Sequence, residues 1–320
     1  MNWKYEGPIF DAHTHIGDPK DLSKMIRFER EFGIKAQLAI VHTPESIPAA
    51  KDLDPNGFIF ARYLPTGETT RYNVPLLLDE IAHLRERGYS LAKMWFGPRW
   101  RDFVENPSNS FRVDDERLTP AFEALEDNEI PLLIHVADPD TYFAQQYTDT
   151  SKYGTKDGNL AQLDHLLDRH RKLRFQLAHM GSQPEIDRLD NLGSWLDKYP
   201  NVVVDTASSR WMARELSKDS EKARNFFIRY SDRILFGTDL SSNRGPREEF
   251  AGRYDAQRIL YETKVKHEPL PIEDPDTKDV GGTFINGLDL PVSVLKKIYW
   301  ENAMRVYNES NSIISSQALP

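Results

Sequence analysis

The amino-acid sequence predicts an α/β chain folded as a (β/α)8 TIM barrel, and three observations predict it. Eight short apolar runs recur along the chain, at 9–15, 36–42, 58–64, 91–96, 132–137, 175–180, 202–206 and 234–239. Amphipathic helical stretches separate most of them. The first run ends in His-Thr-His-Ile-Gly-Asp, with imidazoles where an open nucleotide-binding sheet places its glycine-rich turn.

Each element has its own warrant. Runs such as Pro-Leu-Leu-Ile-His-Val and Asn-Val-Val-Val-Asp are almost continuously apolar, as strands of a parallel sheet are when both faces are covered. The helical stretches 21–32, 76–87, 119–128, 160–169, 185–198 and 221–230 carry apolar residues at helical spacing. Pro120 and Pro184 stand near two helix starts, where a missing N–H costs little. A last helix, 292–308, follows Pro291, and the proline-rich segment 43–56 leaves room only for a short one. Eight alternating units with no linker make residues 1–320 a single barrel domain. Three connections are long, 97–118, 138–159 and 240–290. All three leave the C-terminal ends of strands, the face where a barrel builds its active site, and are expected to cover it.

Composition narrows the function. A net charge of -9 with no basic run argues against nucleic acid, whose phosphates are bound by clustered Lys and Arg. The chain has no cysteine, so disulfides, thiolate metal sites and cysteine nucleophiles are excluded and any metal must take nitrogen and oxygen ligands. No window approaches the ~18 apolar residues of a membrane helix, and the N-terminus carries no apolar stretch of signal-peptide length. A cytoplasmic protein acting on a small molecule is the expectation.

The chemistry gathers at strand ends. His13 and His15 are two apart on the first strand, so both imidazoles can share one face. Two histidines on one face are costly to bury without a shared task. His135 ends the fifth run, His179 the sixth and Asp239 the eighth. Imidazoles and a carboxylate suit Zn2+ or a similar divalent ion with one position open to water. His42 ends the second run, so it too can face the mouth, but it is read as a buried neutral histidine, while His83, His165, His170 and His267 are read as surface or packing residues.

The ordered set Phe-Asp-Ala-His13-Thr-His15, His135, His179 and Gly-Thr-Asp239 resembles the amidohydrolase superfamily. In particular it is similar to the amidohydrolase-related branch that includes decarboxylases such as aminocarboxymuconate-semialdehyde decarboxylase. The likeness runs from the first strand to Tyr-Trp-Glu301-Asn302-Ala-Met-Arg in the last helix. The resemblance implies that His13, His15, His135 and Asp239 bind one divalent metal, with Zn2+ the first choice and Mn2+ or Fe2+ the alternatives. It implies that His179 holds the reacting water or the substrate oxygen, and that Asp239 is also the general base. Lys93 stands where binuclear members carry a carboxylated lysine that bridges a second metal. The other reading of Lys93 is a lysine that binds a substrate anion. Homodimers are common among such proteins.

Arg62, Arg99 and Arg210, with Lys93, offer cations to a carboxylated substrate, and Trp95 with Trp100 and Trp211 offers apolar walls. The expected activity is metal-dependent hydrolysis of a small amide, lactone or ester. Its alternative is non-oxidative decarboxylation of a small unsaturated or aromatic acid. The His-Met-Gly turn departs from the His-Gly-Gly sort common in the decarboxylases, which favours hydrolysis. A non-catalytic barrel would be expected to have lost a ligand, and none of the five core positions is missing.

Overall fold

The computed structural model describes residues 2–64, 74–103 and 111–308; part of the predicted 97–118 loop, 104–110, lies outside them. Nine parallel strands form one curled sheet: β1 (Ile9–Ile16), β2 (Ile34–Val41), β3 (Phe58–Tyr63), β4 (Leu91–Trp95), β5 (Leu132–His135), β6 (Phe175–Leu177), β7 (Val202–Asp205), β8 (Ile234–Leu235) and β9 (Leu240–Ser241). Their order is β8-β7-β6-β5-β4-β3-β2-β1-β9. The predicted eighth strand is therefore two short strands in one continuous run. β8 pairs with β7 and β9 pairs with β1. Between them Phe236 O accepts from Ala12 N at 2.8 Å and Asp239 N donates to His13 O at 2.9 Å. A single run of chain thus bonds to both edges of the sheet and closes the TIM barrel. The predicted sixth strand also ends early, at Leu177.

Helices lie between the strands, among them Leu22–Glu31, Ser46–Leu53, Val74–Ala82, Thr119–Asp127, Lys156–Arg169, Leu189–Lys198 and Ser220–Arg229. Two apolar clusters follow from strand alternation. Ile59, Ala61, Leu91, Leu133 and Leu235 fill the barrel interior with Phe10, Ala12, Leu38 and Ile40. Phe60, Ala92, Met94, Leu132, Ile134, Val202 and Val204 face outward against the helices.

β1 breaks this alternation. Its register against β2 slips between Asp11 and Thr14, where Asp11 pairs with Gln37 and Thr14 with Ala39. The extra residue is a bulge, and bulges re-aim side chains next to active sites. Phe10 and Ala12 face the interior below it. Above it, His13 and His15 take that face instead, while Thr14 turns its hydroxyl to Gln37 Oε1 at 2.6 Å.

The long connections carry their own structure. The 138–159 segment holds the short helices Asp140–Gln145 and Thr150–Tyr153. The 240–290 segment holds a 16-residue helix, Arg247–Glu262, and a small antiparallel ribbon pairing Glu268–Pro269 with Phe284–Ile285. The predicted last helix runs Val292–Lys296, passes through a π turn at Lys297–Glu301 and ends as Asn302–Asn308. Its Ala303 and Tyr307 plug the N-terminal end of the barrel. No helix among the described residues is long and apolar enough to cross a membrane.

Buried Asn302 ties that last helix to the barrel, donating from Nδ2 to Ser231 O at 2.7 Å and Ile234 O at 2.8 Å. Asn302→Ala leaves two buried carbonyls without this donor and is expected to cost about 1–3 kcal/mol. The urea unfolding midpoint measures it; an unchanged midpoint contradicts this anchoring role.

Candidate metal centre

The C-terminal ends of the strands deliver a connected arc of imidazoles. Ring centroids run 5.1 Å from His42 to His15, 5.4 Å from His15 to His13, 5.1 Å from His13 to His179 and 4.5 Å from His179 to His135. Among the described residues, His13, His15 and Asp239 form a group whose ligand atoms all lie within 4.8 Å of one another. His13 Nε2 stands 3.6 Å and His15 Nε2 3.1 Å from the same oxygen, Asp239 Oδ1. His135 is not in this group. Its Nε2 is held by Ala137 O and Asp138 Oδ1, each at 2.9 Å, which leaves Nδ1 as its other nitrogen.

His13 is oriented from behind. Its Nδ1 donates to Asp205 Oδ2 at 3.0 Å, which places the lone pair on Nε2. That lone pair faces a carboxylate oxygen, an arrangement that a cation between them satisfies. Asp205 was not among the sequence-predicted residues. It is buried at the end of β7 and also accepts from Gln176 Nε2 at 2.8 Å, His179 N at 2.9 Å and Ala207 N at 3.1 Å. Burial works against its charge, but the His13 imidazole outweighs it and holds the carboxyl far below the usual range.

His179 sits on an unusual backbone. His179, Met180 and Gly181 have φ of 56°, 54° and 61°, and Ser182 has 60°. Left-handed residues of this kind cost roughly 1–2 kcal/mol each unless they are glycine, and they cluster at functional sites. The His179 N–H bond to Asp205 anchors the turn. The buried Nδ1 of His179 has no hydrogen-bond partner. Asp239 has a left-handed backbone as well, at φ 60°.

The electrostatics suit a divalent cation. Burial pushes His179 down to about 3 and His15 down to about 4, so both are neutral at pH 7. Burial opposes ionisation of Asp239, yet the hydrogen bond to His15 and the neighbouring His13 and His179 imidazoles outweigh it, and its carboxyl stays well below the ordinary range. Neutral imidazoles beside an ionised carboxylate are the protonation states that metal binding requires. The donor set fits Zn2+, Mn2+ or Fe2+.

The other predicted residues divide. Lys93 faces the interior on β4 and is almost fully buried. Burial pushes its amine down to about 8, with Asp205 and Asp239 opposing. Trp95 lies edge-on to His135 at 6.5 Å. Trp211 stands 5.0 Å from His179 and 6.4 Å from His135, with Tyr142 against its far side. Trp100 is fully buried. Arg210 is half-buried on the helix Ser209–Leu216, 3.7 Å from Glu249 and with its Nε unpartnered. Arg62 is not brought to the mouth. It alternates with the inward-facing Ala61 and Tyr63, so it points outward, and its Nε donates to Glu80 Oε2 at 2.8 Å.

The reading of His42 is corrected. It is exposed, and its Nε2 lies 2.8 Å from His15 Nδ1. It follows Leu38 and Ile40 on the inner face of β2, so strand parity carries it into the mouth and leaves it uncovered there. The same parity marks Asp205 after Val203 and rules Arg62 out of the mouth.

Comparisons with known proteins bear on the family and the fold. A family model described as amidohydrolase matches residues 94–308, a span that includes His135, His179 and Asp239 and leaves out His13 and His15. No curated protein matches the chain. The fold is similar to that of 5-carboxyvanillate decarboxylase from Novosphingobium aromaticivorans, solved with manganese and 4-hydroxy-3-methoxy-5-nitrobenzoic acid, at a TM-score of 0.52 and 15% identity over 95% of this chain and 97% of that one. A weaker likeness joins it to HMG-CoA lyase from Bacillus subtilis, at a TM-score of 0.43 and 11% identity over 96% and 95%.

The depressed Lys93 amine makes stability depend on pH. Between about 8 and the ordinary 10.5, the unfolded chain holds a proton that the folded chain has released, so stability rises with pH across that window. Lys93→Met removes the effect. The wild-type minus variant difference in unfolding free energy is expected to climb by up to roughly 3 kcal/mol from pH 8 to 10.5. A difference that stays flat under urea titration contradicts the buried, cation-destabilising environment.

Proposed function

The chain belongs to the amidohydrolase family, and from that premise we propose that it is a metal-dependent hydrolase of a small carboxylated amide, lactone or ester. The observation that carries the proposal is the convergence of His13 Nε2 and His15 Nε2 on Asp239 Oδ1. These three residues would hold one divalent cation, with His135 completing the set through Nδ1. Such a cation supplies Lewis-acid charge and brings the pKa of a water toward neutrality.

The chain's own residues supply the rest. Asp239 keeps about a third of its side chain open (32%) and accepts the proton of the attacking water, then returns it to the leaving group. His179 offers its unpartnered Nδ1 to the substrate's reacting oxygen. Lys93 lies on the barrel interior among the same groups and binds the substrate carboxylate, and Arg210 offers a second cation. Trp95 and Trp211 wall the pocket and exclude water from it. Zinc is the first choice of metal, and manganese is the alternative because the similar decarboxylase structure holds it.

A second reading is decarboxylation of an aromatic or unsaturated acid, favoured by that same structural likeness over 95% of the chain. In it Asp239 and His179 handle the proton that replaces carbon dioxide on the substrate carbon.

Elemental mass spectrometry of purified protein is expected to find about one equivalent of zinc or manganese, lost in the His13→Ala, His15→Ala double variant. Two equivalents would instead assign Lys93 a bridging role. Absence of metal after reconstitution overturns the proposal. With loaded protein, release of carbon dioxide from aromatic acids favours the second reading, and ring opening of lactones or amide cleavage favours the first. In either assay Asp239→Asn is expected to lower kcat by about 10²–10⁴-fold.

A further inference from the structure

We propose that His42 is a positioning residue of this centre: its imidazole fixes the orientation of His15 and bonds to it in either tautomer, so that His15 Nε2 can present a lone pair without the bond being lost. The proposal rests on the metal reading above.

The geometry mirrors that of His13. Each histidine has one nitrogen directed at Asp239 Oδ1 and its Nδ1 at an orienting group. For His13 the orienting group is Asp205, which can only accept and therefore holds the proton on Nδ1. For His15 it is His42 Nε2, at 2.8 Å. The two rings are nearly coplanar, 23° apart. The His42 backbone N–H donates to Ile16 O at 2.9 Å, which locks the ends of β1 and β2 together beside the pair. Tyr63 on β3 stands 5.5 Å from the His42 ring on another side.

An imidazole nitrogen either donates or accepts, so this pair has two neutral arrangements. In one, His15 Nε2–H donates to Asp239 Oδ1 and Nδ1 accepts from His42. In the other, His15 Nδ1–H donates to His42 and Nε2 presents its lone pair. Only the second can ligate a cation. His42 satisfies His15 in both, so the metal-free site keeps its hydrogen bonds and the loaded site finds its ligand already oriented. A carboxylate at position 42 would hold the second arrangement alone and add a charge. Because His42 is exposed, truncating it removes the orienting bond and leaves the core intact.

The test is zinc affinity of the whole chain, stripped of metal and titrated against a chromophoric chelator, for wild type, His42→Ala and His42→Gln. His42→Ala is expected to raise the zinc Kd by about 10–100-fold with an unchanged metal-free Tm. His42→Gln, whose amide can accept from the same Nδ1–H, is expected to recover most of the loss. Nitrogen-15 imidazole spectra of the zinc form should show the His15 proton on Nδ1 in wild type and in His42→Gln. His42→Ala with a zinc Kd within twofold of wild type overturns the proposal alone. So does a loss accompanied by a matching fall in Tm that His42→Gln fails to repair. A wild-type chain that takes up no zinc overturns the metal reading and this proposal with it.

Discussion

The carboxylate of Asp205 is the interaction on which the histidine-bearing face of the barrel depends. Four N–H groups converge on it, from His13, Gln176, His179 and Ala207. They belong to β1, β6 and the turns after β6 and β7. A buried carboxylate with that many donors stays ionised, and its charge fixes the proton of His13 on the nitrogen facing away from the mouth. Gln176 continues the connection downward. It donates to Ala12 O at 2.9 Å and accepts from Tyr307 OH at 2.7 Å. The floor of the barrel, the middle of β1 and the His13 imidazole are thus one hydrogen-bonded column through an otherwise apolar interior. Such a column carries a strong penalty if one member is lost, because the others remain buried without partners.

Around that column the barrel balances its charges unevenly. Asp205 and Asp239 are ionised, His15 and His179 are neutral, and Lys93 is the interior cation between them. Arg253 lies close behind, donating to Thr238 O at 3.2 Å and paired with Glu249 at 3.4 Å. It holds the backbone from which Asp239 projects. A divalent ion would turn the local field positive and draw an anionic substrate toward the mouth, in the way bound cations invert the charge balance of their sites.

Much of this was legible in the sequence because burial on both faces of a parallel sheet leaves uninterrupted apolar runs, and the ends of those runs located His13, His15, His135, His179 and Asp239. Three features were hidden for physical reasons. The β1 bulge depends on pairing with β2, which a single strand's residue types do not encode; counting by twos placed His13 and His15 together correctly while missing that Phe10 and Ala12 share their face. The Arg247–Glu262 helix is not legible as a helix in the sequence because several of its buried positions are polar, among them Arg253, Gln257, Arg258 and Glu262. Those residues are held by ion pairs and backbone carbonyls, such as Arg258 with Glu262 at 2.6 Å and Gln257 Nε2 with Thr206 O and Gly237 O at 2.7 Å, so apolar periodicity never appears. Asp205 ended an apolar run as plainly as Asp239 did, and only its packing against His13 distinguishes it from an ordinary strand terminus.

The left-handed turn at His179–Ser182 has a consequence for how this protein can diversify. A barrel varies its chemistry by lengthening the loops above its strands, and here the connections after β4, β5 and β8 are long. The segment after β6 is different: its backbone runs against the handedness its residues prefer, and it is held by Asp205, by the Gln183 N–H bond to Met180 O and by the Ser182 hydroxyl on Ala137 O. An insertion there would release the strain and swing His179 away from His13. The sixth strand end is therefore a fixed point about which the long loops can drift, and new substrate preferences in related chains should arise from the connections after β4, β5 and β8 and not from this segment.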